Sequence, residues 1–150
     1  MLTSIEFFVP DTPQGKQSPR AVRNGAFARV IKDPKTRAYE EGIARIAKAA
    51  MDGRPPYNEA IGIAVLAIFA VPPSWSARKT RDALSGRIAP TSRPDCSNIL
   101  KACEDGCNGV VFRDDALVVD ASMRKAYGPM PGVHVRVWPR ASAALTLVSA

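Results

Sequence analysis

Ile61 to Val71 is an unbroken run of 11 apolar residues, closed by Pro72 and Pro73. Its β-branched and apolar composition predicts a central strand, buried on both faces. A strand of that kind cannot stand at a surface, so the chain must build a sheet around it. At 11 residues the run is too short for a membrane span, which takes about 20 apolar residues. The N-terminus, MLTSIEFFVP, lacks the charged region and long apolar stretch of a signal peptide. The expectation is a cytoplasmic protein with no membrane partner.

The remaining elements follow from period and punctuation. Ile5 to Val9 reads as a short strand stopped by Pro10. Residues 10–25, rich in Pro, Gly, Lys and Arg, read as an irregular basic loop. Asp33-Pro34 opens a helix from Thr36 to Met51, with Tyr39, Ile43, Ile46 and Ala50 as its buried stripe. Asp52-Gly53 ends it. Residues 74–94 carry Arg78, Lys79, Arg81, Arg87 and Arg93 beside Trp75, and suit a mobile loop, a helix or a binding arm. A second main helix starts at Asp95 or Ser97 as N-cap and ends at Gly106 or Asn108-Gly109. Ala116 to Asp120 reads as a strand. Val133 to Trp138 alternates cleanly, as a strand with one exposed face does. The tail after Pro139 is small and apolar, with no assignable state. These elements give a single α+β domain over residues 1–150, with a mixed sheet packed by two main helices.

Charge is distributed unevenly. From Asp95 to Asp120 six carboxylates face only Lys101 and Arg113, a net charge of −4 in a chain whose total is +7. Crowded carboxylates raise one another's pKa unless a cation neutralises them, and a basic surround suits a polyanion. One arrangement explains both: a divalent metal that meets a phosphate backbone. Turn and cap roles for the same aspartates explain the island equally well on charge alone. Cys96, Cys103 and Cys107 are an odd number without zinc-ligand spacing, and His134 is the only histidine. They suit small core residues in a reducing compartment.

The spacing of the island is more specific than its charge. Pro94-Asp95-x-x-Asn98-x-x-Lys101, then Asp105, then Gly109-x-x-x-Arg113-Asp114-Asp115, resembles the RusA family of Holliday junction resolvases. Pro13-x-Gly15-Lys16-Gln17-x-x-Arg20 is similar to that family's N-terminal basic loop. Lys125-x-Tyr127-Gly128 and the valine-rich last strand are similar to its C-terminal part. The likeness spans about residues 4–138, with its motif core at 93–128 and basic loops at 10–25 and 74–94.

The resemblance implies a bacterial or phage-encoded homodimer that nicks four-way DNA junctions symmetrically, with Mg²⁺ or Mn²⁺. It assigns Asp95, Lys101 and Asp115 to catalysis. Asp95, Asp115, Asp114 and Ser97 fall to the metal, and Lys16, Arg20, Arg23, Arg93, Asn98 and Lys125 to DNA. Asp105 matches a motif position of less defined role. Tyr39, Phe69 and Trp138 are candidates for a dimer interface. Away from the resemblance, Lys101 and Asp105 form an i,i+4 pair worth about 0.3–0.5 kcal/mol.

Ser97 departs from the pattern, because the family has a second catalytic Asp there. A hydroxyl is a neutral and weaker ligand for a cation that prefers carboxylates and water. Asp114 or Asp105 could supply the lost charge, the residue could have been altered to abolish activity, or the protein could bind branched DNA without cutting it. A ribosome- or RNA-associated domain with structural acids is a further alternative.

Overall fold

The structure is a computed structural model and describes residues 3–140. The small apolar tail lies outside the described residues. Four strands form one mixed sheet in the order β1-β6-β4-β5. They are β1 (Ile5–Pro10), β4 (Ile61–Phe69), β5 (Val118–Tyr127) and β6 (Gly132–Pro139), while β2 (Arg20–Asn24) and β3 (Phe27–Ile31) form a separate ribbon. Three helices complete the domain: α1 (Pro34–Met51), α2 (Ala77–Leu84) and α3 (Cys96–Cys107). The α+β class, the single domain and the mixed sheet agree with the sequence reading. β4 pairs antiparallel with β6 and parallel with β5, which makes the sheet mixed.

Register explains which face is the core. Phe7, Val135, Val65 and Met123 lie in one row across the four strands, and Ile5, Val137, Ile63 and Ala121 in the next. Side chains alternate along a strand, so both rows point the same way. That face packs on Ile43, Ala47 and Met51 of α1 and on Ile99, Cys103 and Cys107 of α3. The six helix residues are all buried, while Met123 is half-buried and Ala121 exposed at the β5 edge. Each fully buried Val, Ile or Phe contributes roughly 1.5–3 kcal/mol, which is what holds the two helices on the sheet. Burial pushes the Cys103 thiol up to about 12 and the Cys107 thiol further, so both remain protonated core residues.

Four expectations need correction. β4 is not buried on both faces: Ala64, Leu66 and Ile68 on its second face are half-exposed, because no helix among the described residues covers that side. The unbroken apolar run reflects small and aliphatic choices on an open face. The stripe on α1 runs through Thr36, Glu40, Ile43, Ala47 and Met51, with Tyr39, Ile46 and Ala50 at its margin. The helix is rotated because Gly106 of α3 lets Ile43 approach its backbone. The basic stretch 10–25 is not wholly irregular, since its second half is β2. The strand expected at Ala116 begins at Val118 and runs to Tyr127, after a single 3₁₀ turn over Asp115–Leu117.

The caps follow the sequence closely. The Asp33 carboxylate accepts N–H bonds from Lys35 at 3.0 Å and Thr36 at 3.2 Å, with Pro34 in the first turn. Asp52 and Gly53 both take positive φ at the other end of α1. The segment 74–94 resolves into α2, capped by Ser76, with Trp75 edge-on to Tyr127 at 5.3 Å and the Lys79 ammonium 3.9 Å from the Trp75 ring centre. Trp75 is therefore engaged within the protein. Among the described residues, no helix is long and apolar enough to cross a membrane.

Candidate active site

Helix α3 begins with Asp95 as its N-cap. The carboxylate accepts the Asn98 N–H at 3.1 Å, and the Ser97 hydroxyl lies 3.5 Å away on the same oxygen. An anion here meets the positive end of the helix dipole, and a cap of this kind is worth about 1 kcal/mol. Asp95, Ser97 and Asn98 are all exposed.

Three contacts fix the approach to this helix end. Lys125, pointing to the helix side of β5, donates to the carbonyls of Ser92 at 2.7 Å and Pro94 at 2.9 Å. Gly15 lies against Pro94 and Asn98 so closely that a Cβ would meet their Cβ atoms at 2.8 and 3.0 Å. The next residue, Lys16, donates its backbone N–H to the Asn98 carbonyl at 3.0 Å. The N-terminal loop is thereby seated on the first turn of α3. Lys125, expected at DNA, here holds the segment that presents Asp95.

One turn further on, Lys101 is the hub. Its ammonium lies 2.8 Å from Asp115 and 3.5 Å from Asp105. Asp105 is also held by Lys16 at 2.7 Å. The i,i+4 pair read from sequence therefore exists, but the shorter contact goes to Asp115, 14 residues away in the chain. The hydrogen bond to Asp115 is the main cause that raises the Lys101 pKa, and Lys101 in turn holds the Asp115 carboxyl below its ordinary value. Asp114 caps the 3₁₀ turn, accepting the Ala116 N–H at 2.8 Å.

Lys16, Asp95, Ser97, Asn98, Lys101, Asp105 and Asp115 are thus linked through α3. Arg93 borders Asp95 and is exposed. Arg20 reaches toward Asp33 at 3.7 Å, and Arg23 lies on the exposed ribbon. Glu104 was passed over as one more acid of the island. Its carboxyl is half-buried beside Lys101, and burial raises its pKa ahead of the opposing pull of Lys101. The i,i+3 spacing from Lys101 was the available signal.

Among the described residues, no group of three or more His, Cys, Asp or Glu side chains is gathered closely enough to hold a metal ion. The site is not a closed cage. Asp95 and Asp115 are instead open carboxylates, the donor type suited to Mg²⁺, which binds through one or two carboxylates and keeps several waters. Their chemistry fits that ion, with Lys101 already on Asp115 as a competing cation.

The description Endodeoxyribonuclease RusA matches residues 10–138. The chain belongs to the RusA family. It is also 30% identical over 139 residues to the uncharacterized protein YqaN of Bacillus subtilis (strain 168), a match covering 89% of this chain and 94% of that protein. RusA membership makes endodeoxyribonuclease chemistry the family activity of this fold. The match runs from the end of β1 to β6, so it takes in the basic loop, the ribbon and the whole of α3.

Proposed function

We propose that this RusA protein resolves four-way DNA junctions by paired, Mg²⁺- or Mn²⁺-dependent hydrolysis of phosphodiester bonds, acting as a homodimer. The Lys101–Asp115 contact of 2.8 Å carries the reading. It joins two motif residues from different elements, further along the helix that Asp95 caps. A core role would not require such a pairing, since both side chains keep about two-fifths of their surface exposed.

Asp95 and Asp115 would hold the metal, with Ser97 as an added oxygen donor. When bound, such an ion supplies a more acidic water and polarises the phosphoryl oxygen. Lys101, raised in pKa, stays cationic at neutral pH and can contact the scissile phosphate or the charge that develops on it. The N-terminus of α3 adds a favourable field for a phosphate. Lys16 and Lys101 between them neutralise Asp105 and Asp115, whereas Asp95 makes no ion pair among the described residues. A junction has two-fold symmetry, and a C2 dimer offers two identical sites for paired nicks.

A labelled four-way junction incubated with the protein and Mg²⁺, beside a linear duplex and a Ser97→Asp variant, tests this. Symmetric nicks by the protein as it stands support the resolvase reading. Junction binding without nicks, with cutting restored in Ser97→Asp, assigns the chain to branched-DNA binding with an incomplete metal shell. Equal treatment of junction and duplex by both proteins sinks the reading.

A further inference from the structure

The β2–β3 ribbon has no role in the core, yet it carries the largest exposed aromatic surface among the described residues. Phe27 is 81% exposed, Val30 69% and Val22 44%. Every residue of both strands is exposed, and the ribbon pairs with no other strand among the described residues. An isolated two-stranded ribbon is marginally stable, so such a surface calls for something to lie against it.

Its register sorts the side chains. Arg20 stands opposite Ile31, Val22 opposite Arg29, and Asn24 opposite Phe27. These six share one face, since alternate residues point the same way. That face interleaves arginines with apolar groups. Arg23 adds a third arginine on the other face, opposite Ala28. From Thr12 to Lys32 the chain contains no Asp or Glu, against Lys16, Arg20, Arg23, Arg29 and Lys32. The complement of such a surface is an anionic partner that also offers flat apolar rings. A base-paired or partly unstacked nucleic acid meets both conditions.

The base of the ribbon is tied to the candidate active site on one side and to α1 on both. Lys16 bonds to Asn98 and Asp105, and Gln17 donates its N–H to the Thr36 hydroxyl at 3.1 Å. On the return, Lys32 pairs with Glu40 in α1. The turn at the tip is Gly25-Ala26, with φ +65° at Gly25 only, and Phe27 follows it directly. Five residues of strand reach roughly 17 Å, at about 3.3 Å per residue. Phe27 is therefore carried at the end of an arm rooted beside Lys16 and Asn98.

We infer that the β2–β3 ribbon is a DNA-engaging arm, whose arginines contact phosphates and whose Phe27 stacks on bases exposed at a branch point. This rests on the junction reading above. Inserting an apolar wedge costs unstacking energy, and that cost is smallest where stacking is already broken. The arm thus favours a branched site over a continuous duplex. It also sets the distance between that branch and the phosphate held beside Asp95.

The experiment is binding in EDTA, so that no strand is cut, of the full-length protein to a four-way junction and to a linear duplex. 2-Aminopurine placed next to the branch reports unstacking. Phe27→Ala is expected to weaken junction binding about 10-fold and abolish the 2-aminopurine signal, with duplex binding changed less than about 2-fold. Phe27→Trp should restore both. Arg29→Ala should weaken both DNAs alike and lower the slope of log affinity against log salt by about one. A wild-type junction preference that Phe27→Ala retains overturns the arm alone. So does a Phe27→Ala protein that becomes monomeric by sedimentation when the wild type is dimeric, since the face is then a subunit contact. A wild type that holds junction and duplex equally overturns the junction reading itself, and the arm's branch role with it.

Discussion

Gly106→Ala tests how the helix of the candidate active site is seated. In a free helix the change is favourable by about 1 kcal/mol, because Gly loses more backbone entropy than Ala. Here the added Cβ would meet Cβ and Cγ2 of Ile43 at 2.7 Å and the Glu40 carbonyl oxygen at 3.1 Å. Carbon atoms prefer about 3.5–4.0 Å, so α3 must retreat from α1 by close to an ångström. Ile43 is fully buried and has no free space to turn into. Overpacking of this kind costs about 1–3 kcal/mol. Set against the propensity gain of about 1 kcal/mol, the clash leaves a net loss of up to about 2 kcal/mol. At about 2–4 °C per kcal/mol for a chain of this length, the melting temperature should fall by up to roughly 8 °C. Urea unfolding followed by circular dichroism measures the loss directly. Because α3 also carries Asp95, Lys101 and Asp105, nicking activity should drop as well. A Gly106→Ala protein more stable than the wild type would refute the close packing of the two helices.

Further predictions concern charge and positioning. In metal-free protein, the Asp115 carboxyl should titrate below the ordinary carboxylate range by NMR and return toward it in Lys101→Met; because its folded pKa is depressed, the stabilisation is present above the unfolded value and is lost as pH falls through the folded one. Glu104 has the opposite sign: its raised folded pKa makes the ionised form a liability, so Glu104→Gln should unfold at higher urea than wild type above about pH 5 and match it at pH 3. Lys125→Met removes both bonds to the Ser92 and Pro94 carbonyls, and should lower nicking about 10-fold with little change in the salt dependence of DNA binding; a slope reduced by about one would instead place Lys125 on a phosphate.

Much of the frame could be read from residues alone because local chemistry dictated it. Asp33-Pro34 and Asp95 are caps that satisfy nearby N–H groups, and their partners lie within three residues. Lys101 is one turn from Asp105 by helical geometry. The ribbon was missed for a different reason. Asn24-Gly25 is a recognised hairpin signal, but the turn itself is Gly25-Ala26, and the flanking strands bury nothing and so show no apolar alternation. The rotation of α1 depends on Gly106, some 60 residues away, and no period within the helix reports it. The open face of β4 was hidden because Ala64, Leu66 and Ile68 look the same whether covered or bare. The 2.8 Å contact to Asp115 depends on where the turn before β5 is set, which the motif spacing suggested and the packing of β5 on β4 fixes.

Ser97 brings the charge argument to a measurable point. Lys16 and Lys101 balance Asp105 and Asp115, so the resting site tolerates its acids. Ser97 lies 3.5 Å from the Asp95 carboxylate. An aspartate at 97 would set a second carboxylate beside the first with no new cation to offset it. Like charges at that range disfavour each other, so Ser97→Asp should melt below wild type in EDTA. The same pair of carboxylates should bind Mg²⁺ or Mn²⁺ more tightly than one carboxylate and a hydroxyl do. Any ligand that binds only the folded state adds stability as RT ln(1 + [L]/Kd), about 2.7 kcal/mol at a hundredfold excess over Kd. The two melting curves should therefore cross as metal is added, with Ser97→Asp the less stable protein in EDTA and the more stable one in millimolar Mn²⁺. Parallel curves, with no extra stabilisation of the variant by metal, would mean that residue 97 does not face the ion, and the metal assignment at the head of α3 would fail.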